Sequence, residues 1–206
     1  EWADGGNVWI NKEVDVAFFE QEPKLTDGAT ILDNIFHHQH PVLNAIKDYE
    51  AAIDRNDEAG ITEGLSQMDA LDAWDFDNKV KQILGKLNIH DLQQIVGSLS
   101  GGQRKRVALA RTLIDIGFEH KHVLLVMDEP TNHLDVEMVE WLEHYLNKEN
   151  STLLMVTHDR YFLDAVCNEI WELENGTLYI HKGDYANFLE KKAAREESEA
   201  ASVDKA

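Results

Sequence analysis

The stretch Val123-Leu-Leu-Val-Met-Asp-Glu-Pro-Thr-Asn-His-Leu-Asp135 decides the fold. Its first five residues are the longest unbroken apolar run in the chain. A transmembrane helix needs about 20 such residues, so Val123–Met127 reads instead as a strand buried on both faces. The run stops at two acids and a proline. Val136–Leu146 then carries a helical pattern, and Leu153–Val156 reads as a second fully buried strand. Strand, helix, strand is the repeating unit of a parallel α/β sheet. Such sheets bind ligands beyond the C-terminal ends of their strands.

The residues at those ends carry the candidate chemistry. Asp128 can hold Mg²⁺, usually through water, and Glu129 can orient or activate an attacking water. The plainer alternative is that both acids simply end the strand in solvent. After the second strand come Thr157-His158-Asp159. His158 can hydrogen-bond a γ-phosphate or the attacking water, or be a surface or capping histidine. Upstream, Leu99-Ser100-Gly101-Gly102-Gln103 precedes the amphipathic stretch Arg104–Leu113. Ser100 can cap a helix, and the paired glycines let backbone N–H groups approach an anion at its N-terminus. A Ser-Gly-Gly loop with an ordinary N-cap accounts for the same five residues. Near the start, Phe18-Phe19-Glu20-Gln21-Glu22-Pro23 ends a strand in an amide. Gln21 can reach a metal ion or water there, or be a surface glutamine ahead of a proline.

Outward from these pieces, residues 1–22 read as β, in Val8-Trp9-Ile10 and Val14–Phe19. Residues 28–96 read as helical. Thr30 is placed to cap a helix carrying Ile31, Leu32, Ile35 and Phe36. Leu43, Ile46, Tyr49 and Ile53, then Val80, Ile83, Leu84 and Leu87, follow at helical spacing. Ile170–Leu173 and Thr177–His181, split by Asn175-Gly176, read as a closing hairpin. From Glu190 the Ala-, Glu- and Lys-rich chain reads as an exposed helix or the start of a linker. Trp9, Trp74, Trp141 and Trp171 read as core or lobe contacts.

The 206 residues are 43% apolar, with a net charge of −20, which argues against a broad nucleic-acid surface. The charge is uneven. Residues 1–98 carry net −12 and residues 123–206 net −11, while 99–122 carry net +3, concentrated in Arg104, Lys105, Arg106 and Arg111. A basic island directly after a glycine pair points to phosphate, nucleic-acid or domain contacts. The single Cys167 reads as a buried structural thiol, and one cysteine precludes an internal disulfide, so a reducing cytoplasm is the simplest location. His37, His38 and His40 lack the carboxylate or cysteine partners that would complete a metal site, and Glu119-His120-Lys121-His122 reads as an exposed loop.

Taken in order, these pieces resemble the nucleotide-binding domain of ATP-binding-cassette proteins. Gln21 is similar to the Q-loop glutamine, Leu99–Gln103 to the signature, and Val123–Glu129 to the Walker B strand. Asn132-His133-Leu134-Asp135 resembles the D-loop and His158 the switch histidine. The resemblance implies an α/β fold, a partial P-loop NTPase cassette with a helical lobe and a parallel-sheet lobe. It implies ATP and Mg²⁺, with Glu129 and His158 catalytic. Ser100, Gly101, Gly102, Gln103, Gln21 and Asp135 would contact nucleotide, and Asp128 and Gln21 the metal. Asp128-Glu-Pro-Thr-Asn-His-Leu-Asp135 and Thr157-His-Asp-Arg-Tyr-Phe-Leu-Asp164 resemble the ABC-F class. Its members carry two cassettes on one soluble chain, have no membrane domain, and work on the translating ribosome. Met68–Trp74, Val136–Leu146 and the tail after Gly183-Asp184-Tyr185 are similar to the first cassette of Uup-like members. The implied partners are a second cassette, on the same chain or in a dimer, and the ribosome with its tRNA. No membrane is implied, and the location is cytoplasmic. Two other readings stay open, the ATP-binding subunit of a transporter and a non-catalytic module that offers its signature face to a partner.

The family cradles phosphates with Gly-x-x-x-x-Gly-Lys-Ser/Thr. Here the only Gly-Lys pair, Gly85-Lys86, is followed by Leu87, and Val80 stands at the earlier glycine position. The resemblance therefore implies a chain that begins inside a cassette, retains the parts that act in trans, and is inactive alone. The expected layout is a β segment with the Q-loop over 1–27 and a helical lobe over 28–116. A Walker B, D-loop and switch lobe over 117–189 and the start of a charged interdomain linker over 190–206 complete it. Unpaired sheet edges would invite dimerisation or strand exchange.

Overall fold

A computed structural model describes residues 5–37, 41–117, 122–149 and 151–203, with side chains to residue 198. His38, His40 and 119–121 lie outside the described residues. In chain order the elements are β1 (Asp15–Phe19), α1 (Ile31–Ile35), α2 (Pro41–Asp54), α3 (Glu58–Ala70), α4 (Trp74–Lys86), α5 (Gly101–Ile116), β2 (Val123–Asp128), α6 (Val136–Lys148), β3 (Thr152–Val156), α7 (Arg160–Val166), β4 (Glu169–Glu174), β5 (Thr177–Lys182) and α8 (Tyr185–Val203).

β1, β2 and β3 form a parallel sheet in that order, with Phe19 level with Met127 and Met127 level with Met155. All three strands therefore end at one edge. That edge gathers Gln21, Asp128, Glu129 and His158 from segments far apart in sequence. β2 is the central strand, and its residues alternate between buried and half-buried. β3 corrects the sequence reading, because it is not buried on both faces. Leu153 and Met155 pack on the core, whereas Leu154 and Val156 are 44% and 62% exposed. The apolar run is set by residue type, but burial on the second face needs a covering layer, and β3 is an edge strand.

The N-terminal β reading also shrinks. Among the described residues of this segment only Asp15–Phe19 forms a strand, because β2 offers its ladder there. Val8, Trp9 and Ile10 find no strand partner among the described residues and stand exposed. Trp9 and Trp171 are 82% and 53% exposed, so they are not core contacts. Trp74 and Trp141 are half-buried against the core as expected.

Helix α5 joins the helical lobe to the sheet. Its Val107, Leu109, Ala110, Leu113 and Ile114 are all buried, and it packs against α1, α4 and β1. Thr30 caps α1 as its sequence position predicts, accepting from the Asp33 N–H at 3.1 Å. In α2 the buried face is Leu43, Ala45, Ile46 and Ala52. Ile53 turns partly to solvent.

The C-terminal unit inverts the usual pattern. Asn175 and Gly176 both take positive φ and close the β4–β5 hairpin as predicted. One hairpin face carries Trp171, Leu173, Leu178 and Ile180, and it is exposed. The polar face lies under α8. Arg195 bonds Glu172 at 2.9 Å and Glu174 at 2.6 Å and stacks 3.8 Å from the Tyr179 ring centroid. Lys192 also bonds Glu172, and His181 lies 3.4 Å from it. The helix predicted from Glu190 thus begins at Tyr185 and is tied down by charge rather than by apolar burial. Arg195 and Lys192 lower the Glu172 carboxyl from 4.5 to about 2. Ionised Glu172 therefore stabilises this unit at neutral pH, and acid removes that stabilisation between about pH 4.5 and 2. Amide exchange in α8 and the hairpin should accelerate through that window. Glu172→Gln should remove the pH dependence and give fast exchange at pH 7.

Candidate functional site

Glu129 sits one residue past β2 at φ +48, a left-handed conformation that is costly for a residue with a side chain. Two contacts hold it there. Its N–H donates to the Val156 carbonyl at 2.8 Å, and its own carbonyl accepts from the Asn132 N–H at 3.3 Å. The turn aims the carboxylate across β3 toward His158. The His158 N–H donates to Glu129 Oε2 at 3.3 Å, and His158 Nε2 lies 3.4 Å from Oε1. That second approach lacks hydrogen-bond geometry, so Oε1 is a buried acceptor with no hydrogen-bond donor among the described residues. Glu129 is 8% exposed, while the His158 side chain is 96% exposed. A buried carboxylate thus lies beside an imidazole that is open to solvent.

His158 is set by the start of α7. Asp159 caps that helix, accepting from Tyr161 and Phe162 N–H groups at 3.1 Å. Thr157 Oγ1 accepts from the Asp159 N–H at 3.0 Å. Asp before a helical pattern is a legible N-cap signal, though the sequence reading did not draw on it.

Ser100 caps α5 in a reciprocal box. Its hydroxyl accepts from the Gln103 N–H at 3.3 Å, and the Gln103 carboxamide accepts from the Ser100 N–H at 2.9 Å. The structure shows the ordinary N-cap reading of Leu99–Gln103, with Ser100, Gly101 and Gln103 exposed at the start of the helix. A β-carbon at Gly101 would meet nothing within 4 Å, so the space before the helix is open. One at Gly102 would lie 3.6 Å from His133 Cβ. The first turn of α5 therefore rests against the loop after β2, where His133 itself sits at φ +68. Sequence reasoning missed this contact, since neither residue type announces it.

The remaining candidates are placed less tightly. Gln21 lies beyond β1 on the same sheet edge and is exposed, with its side chain unbonded among the described residues. Asp128 ends β2 and is half-buried. Asp135 caps α6, accepting from the Met138 N–H at 2.9 Å. Asp135→Ala should lower stability by about 0.5–2 kcal/mol through loss of that cap, measured by urea unfolding. The basic island is partly spent internally. Arg104 bonds Asp27 at 2.6 Å and the Val96 carbonyl at 3.3 Å, and Arg111 bonds the Lys24 carbonyl at 3.1 Å. These two arginines fasten α5 to the loop after β1 rather than presenting free charge. Cys167 is half-buried, and burial raises its thiol pKa.

The sequence model of the ABC transporter family matches residues 4–132. This chain belongs to the ABC transporter family. Among curated relatives it is 41% identical over 204 residues to "Uncharacterized ABC transporter ATP-binding protein YfmR" of Bacillus subtilis, covering 95% of this chain and 32% of the relative. It is 37% identical over 199 residues to "Energy-dependent translational throttle protein EttA" of Mycobacterium tuberculosis, covering 93% of this chain and 35% of the relative. The Escherichia coli EttA is 35% identical over 206 residues, covering 95% and 36%. The chain thus spans about a third of the length of these relatives. In fold it is similar to a solved structure titled "Structure of ATP binding subunit of ABC transporter", with TM-score 0.56 and 16% identity over 86% of this chain and 62% of that one. The α/β architecture is that of an ABC cassette. Among the described residues no helix is long and apolar enough to cross a membrane.

Proposed function

We propose that this chain is the signature-bearing part of an ATP-binding cassette of the ABC-F class, from a cytoplasmic protein that hydrolyses ATP as it acts on the translating ribosome. The observation that carries the ATPase reading is Glu129 Oε1, buried beside His158 and lacking a hydrogen-bond donor among the described residues. A water is the donor that fits. Glu129 would orient it for in-line attack, and His158 would contact the water or the γ-phosphate as charge develops. Asp128 and Gln21 would hold Mg²⁺, which would supply neutralisation of the phosphate oxygens. The open first turn of α5, with Ser100, Gly101, Gly102 and Gln103, suits an anion. That anion is the phosphate of ATP held by an opposing cassette, and Asp135 borders the same interface.

The sequence resemblance and the relatives named as translational throttle proteins support the ABC-F reading. The 206 residues contain no Gly-x-x-x-x-Gly-Lys-Ser/Thr, so hydrolysis by this chain alone should be at background. The test is an ATPase assay of the chain alone and mixed with a cassette that has an intact P-loop and a disabled signature. Activity confined to the mixture supports the trans-acting reading, and turnover by the chain alone that Glu129→Gln abolishes refutes it. A transporter subunit is the second reading, favoured by the names of the YfmR relative and of the structural neighbour. Co-sedimentation of the full-length protein with ribosomes or with membranes separates the two.

A further inference from the structure

β1 is an edge strand. It pairs with β2 and, among the described residues, with no other strand. The Asp15 N–H donates to the His122 carbonyl at 2.9 Å, which turns the backbone polar groups of Asp15, Ala17 and Phe19 toward β2. The N–H and C=O groups of Val16 and Phe18 therefore point outward, as an unpaired strand edge does. The Phe18 carbonyl accepts from the Thr112 hydroxyl at 3.4 Å. No described residue's backbone carbonyl accepts from the outward N–H groups of Val16 and Phe18.

Beside that edge lies an open groove of about 380 Å³. Residues 15–18 of β1 form one wall, and Arg111, Thr112, Asp115 and Ile116 of α5 form the other. An open strand edge running along a groove can take an extended peptide as an added strand, with main-chain hydrogen bonds giving affinity and alternate side chains giving specificity. On the face away from α5, Phe18 is 60% exposed and lies level with Val126, and half-buried Val16 lies level with Leu124. An added strand would lay every second side chain against that apolar face and the others toward α5.

Charge selects the partner. The carboxylates of Glu13, Asp15, Glu20, Glu22 and Asp115 surround the edge, against Lys12, Lys24 and Arg111. Arg111 is partly spent on the Lys24 carbonyl, and Lys24 lies 3.9 Å from Glu20. His37 also lines the groove, 3.9 Å from Asp115. A second copy of β1 would bring like charges together, and a nucleic-acid backbone would be repelled. We propose that the open edge of β1 binds an extended basic segment of a partner protein as an added strand. Its apolar residues lie beside Val16 and Phe18, and its alternating Lys or Arg residues face Asp15 and Asp115.

The test is amide NMR of the 206-residue chain titrated with an N-acetylated, C-amidated peptide of alternating lysine and valine, about seven residues long. Saturable shifts in β1 and the second half of α5 are expected. At saturation the Val16 and Phe18 amides should exchange at least about tenfold more slowly. The same peptide with glutamate for lysine should bind at least about tenfold more weakly. One with proline for valine keeps the charge but lacks donors for the ladder, and it too should bind at least about tenfold more weakly. Asp15→Lys, at an exposed position, should weaken the lysine–valine peptide about three- to tenfold. Shifts spread over the acidic surface without slower exchange at Val16 and Phe18 would overturn the proposal. So would equal binding of either control peptide, or unchanged binding by Asp15→Lys. Slower exchange at those two amides that appears without peptide as chain concentration rises would assign the edge to a second copy and overturn it as well.

Discussion

Ser100→Arg is expected to lower ATP hydrolysis by about 10²–10³-fold when this chain is mixed with a cassette that has an intact P-loop and a disabled signature. Glu129→Gln is expected to leave that same mixed activity within about twofold. The contrast follows from geometry. Ser100 stands at the exposed start of α5, beside the space that Gly101 leaves open. Arginine there loses the hydroxyl that accepts from Gln103 and places a long side chain where a phosphate would enter. The lost cap accounts for only about 1 kcal/mol of stability, so a fall of two or three orders of magnitude at a temperature well below melting reports the anion site. On the proposed function, Glu129 would serve a different nucleotide, one held by a P-loop on its own cassette. The assay reads the mixed rate for both variants beside their urea midpoints. If Glu129→Gln silences the mixture as fully as Ser100→Arg, the division of labour between the two ends of the site is wrong.

Leu113→Ala is expected to destabilise the chain by about 2–5 kcal/mol. Leu113 is fully buried in α5, and its carbonyl accepts from the Tyr145 hydroxyl at 3.2 Å, which ties α6 to the same point. Truncation leaves a cavity at the junction of helical lobe and sheet, where helix and strands are both close-packed and collapse is restricted. For a chain of this size the loss corresponds to a fall in melting temperature of about 4–20 °C. Urea unfolding should show a lower midpoint with an unchanged slope. A loss below about 1 kcal/mol would mean that α5 does not carry the junction.

Local signals were the legible ones. Thr30 and Ser100 were readable as caps because capping is decided within four residues. Asn175-Gly176 announced its hairpin because the turn needs two positive φ angles. The Val123–Glu129 strand and its carboxylates were readable because an apolar run of five followed by two acids has few other structural outcomes. The motif spacing placed Glu129 and His158 at neighbouring strand ends, and the sheet puts them there.

The sequence by itself determined which segments are helix or strand in the helical lobe and around β2, which residues start the helices, and which polar groups stand at strand ends. Those are short-range properties of residue type and periodicity. Only the tertiary structure decided that β1 pairs with β2 across more than a hundred residues, and that Val8-Trp9-Ile10 has no partner among the described strands. It also decided that β3 is covered on one face, that Arg104 and Arg111 are spent on the loop after β1, and that α8 covers the polar side of its hairpin. Strand pairing, burial and ion pairing depend on what another part of the chain places opposite. A residue's own neighbours in sequence carry no record of that.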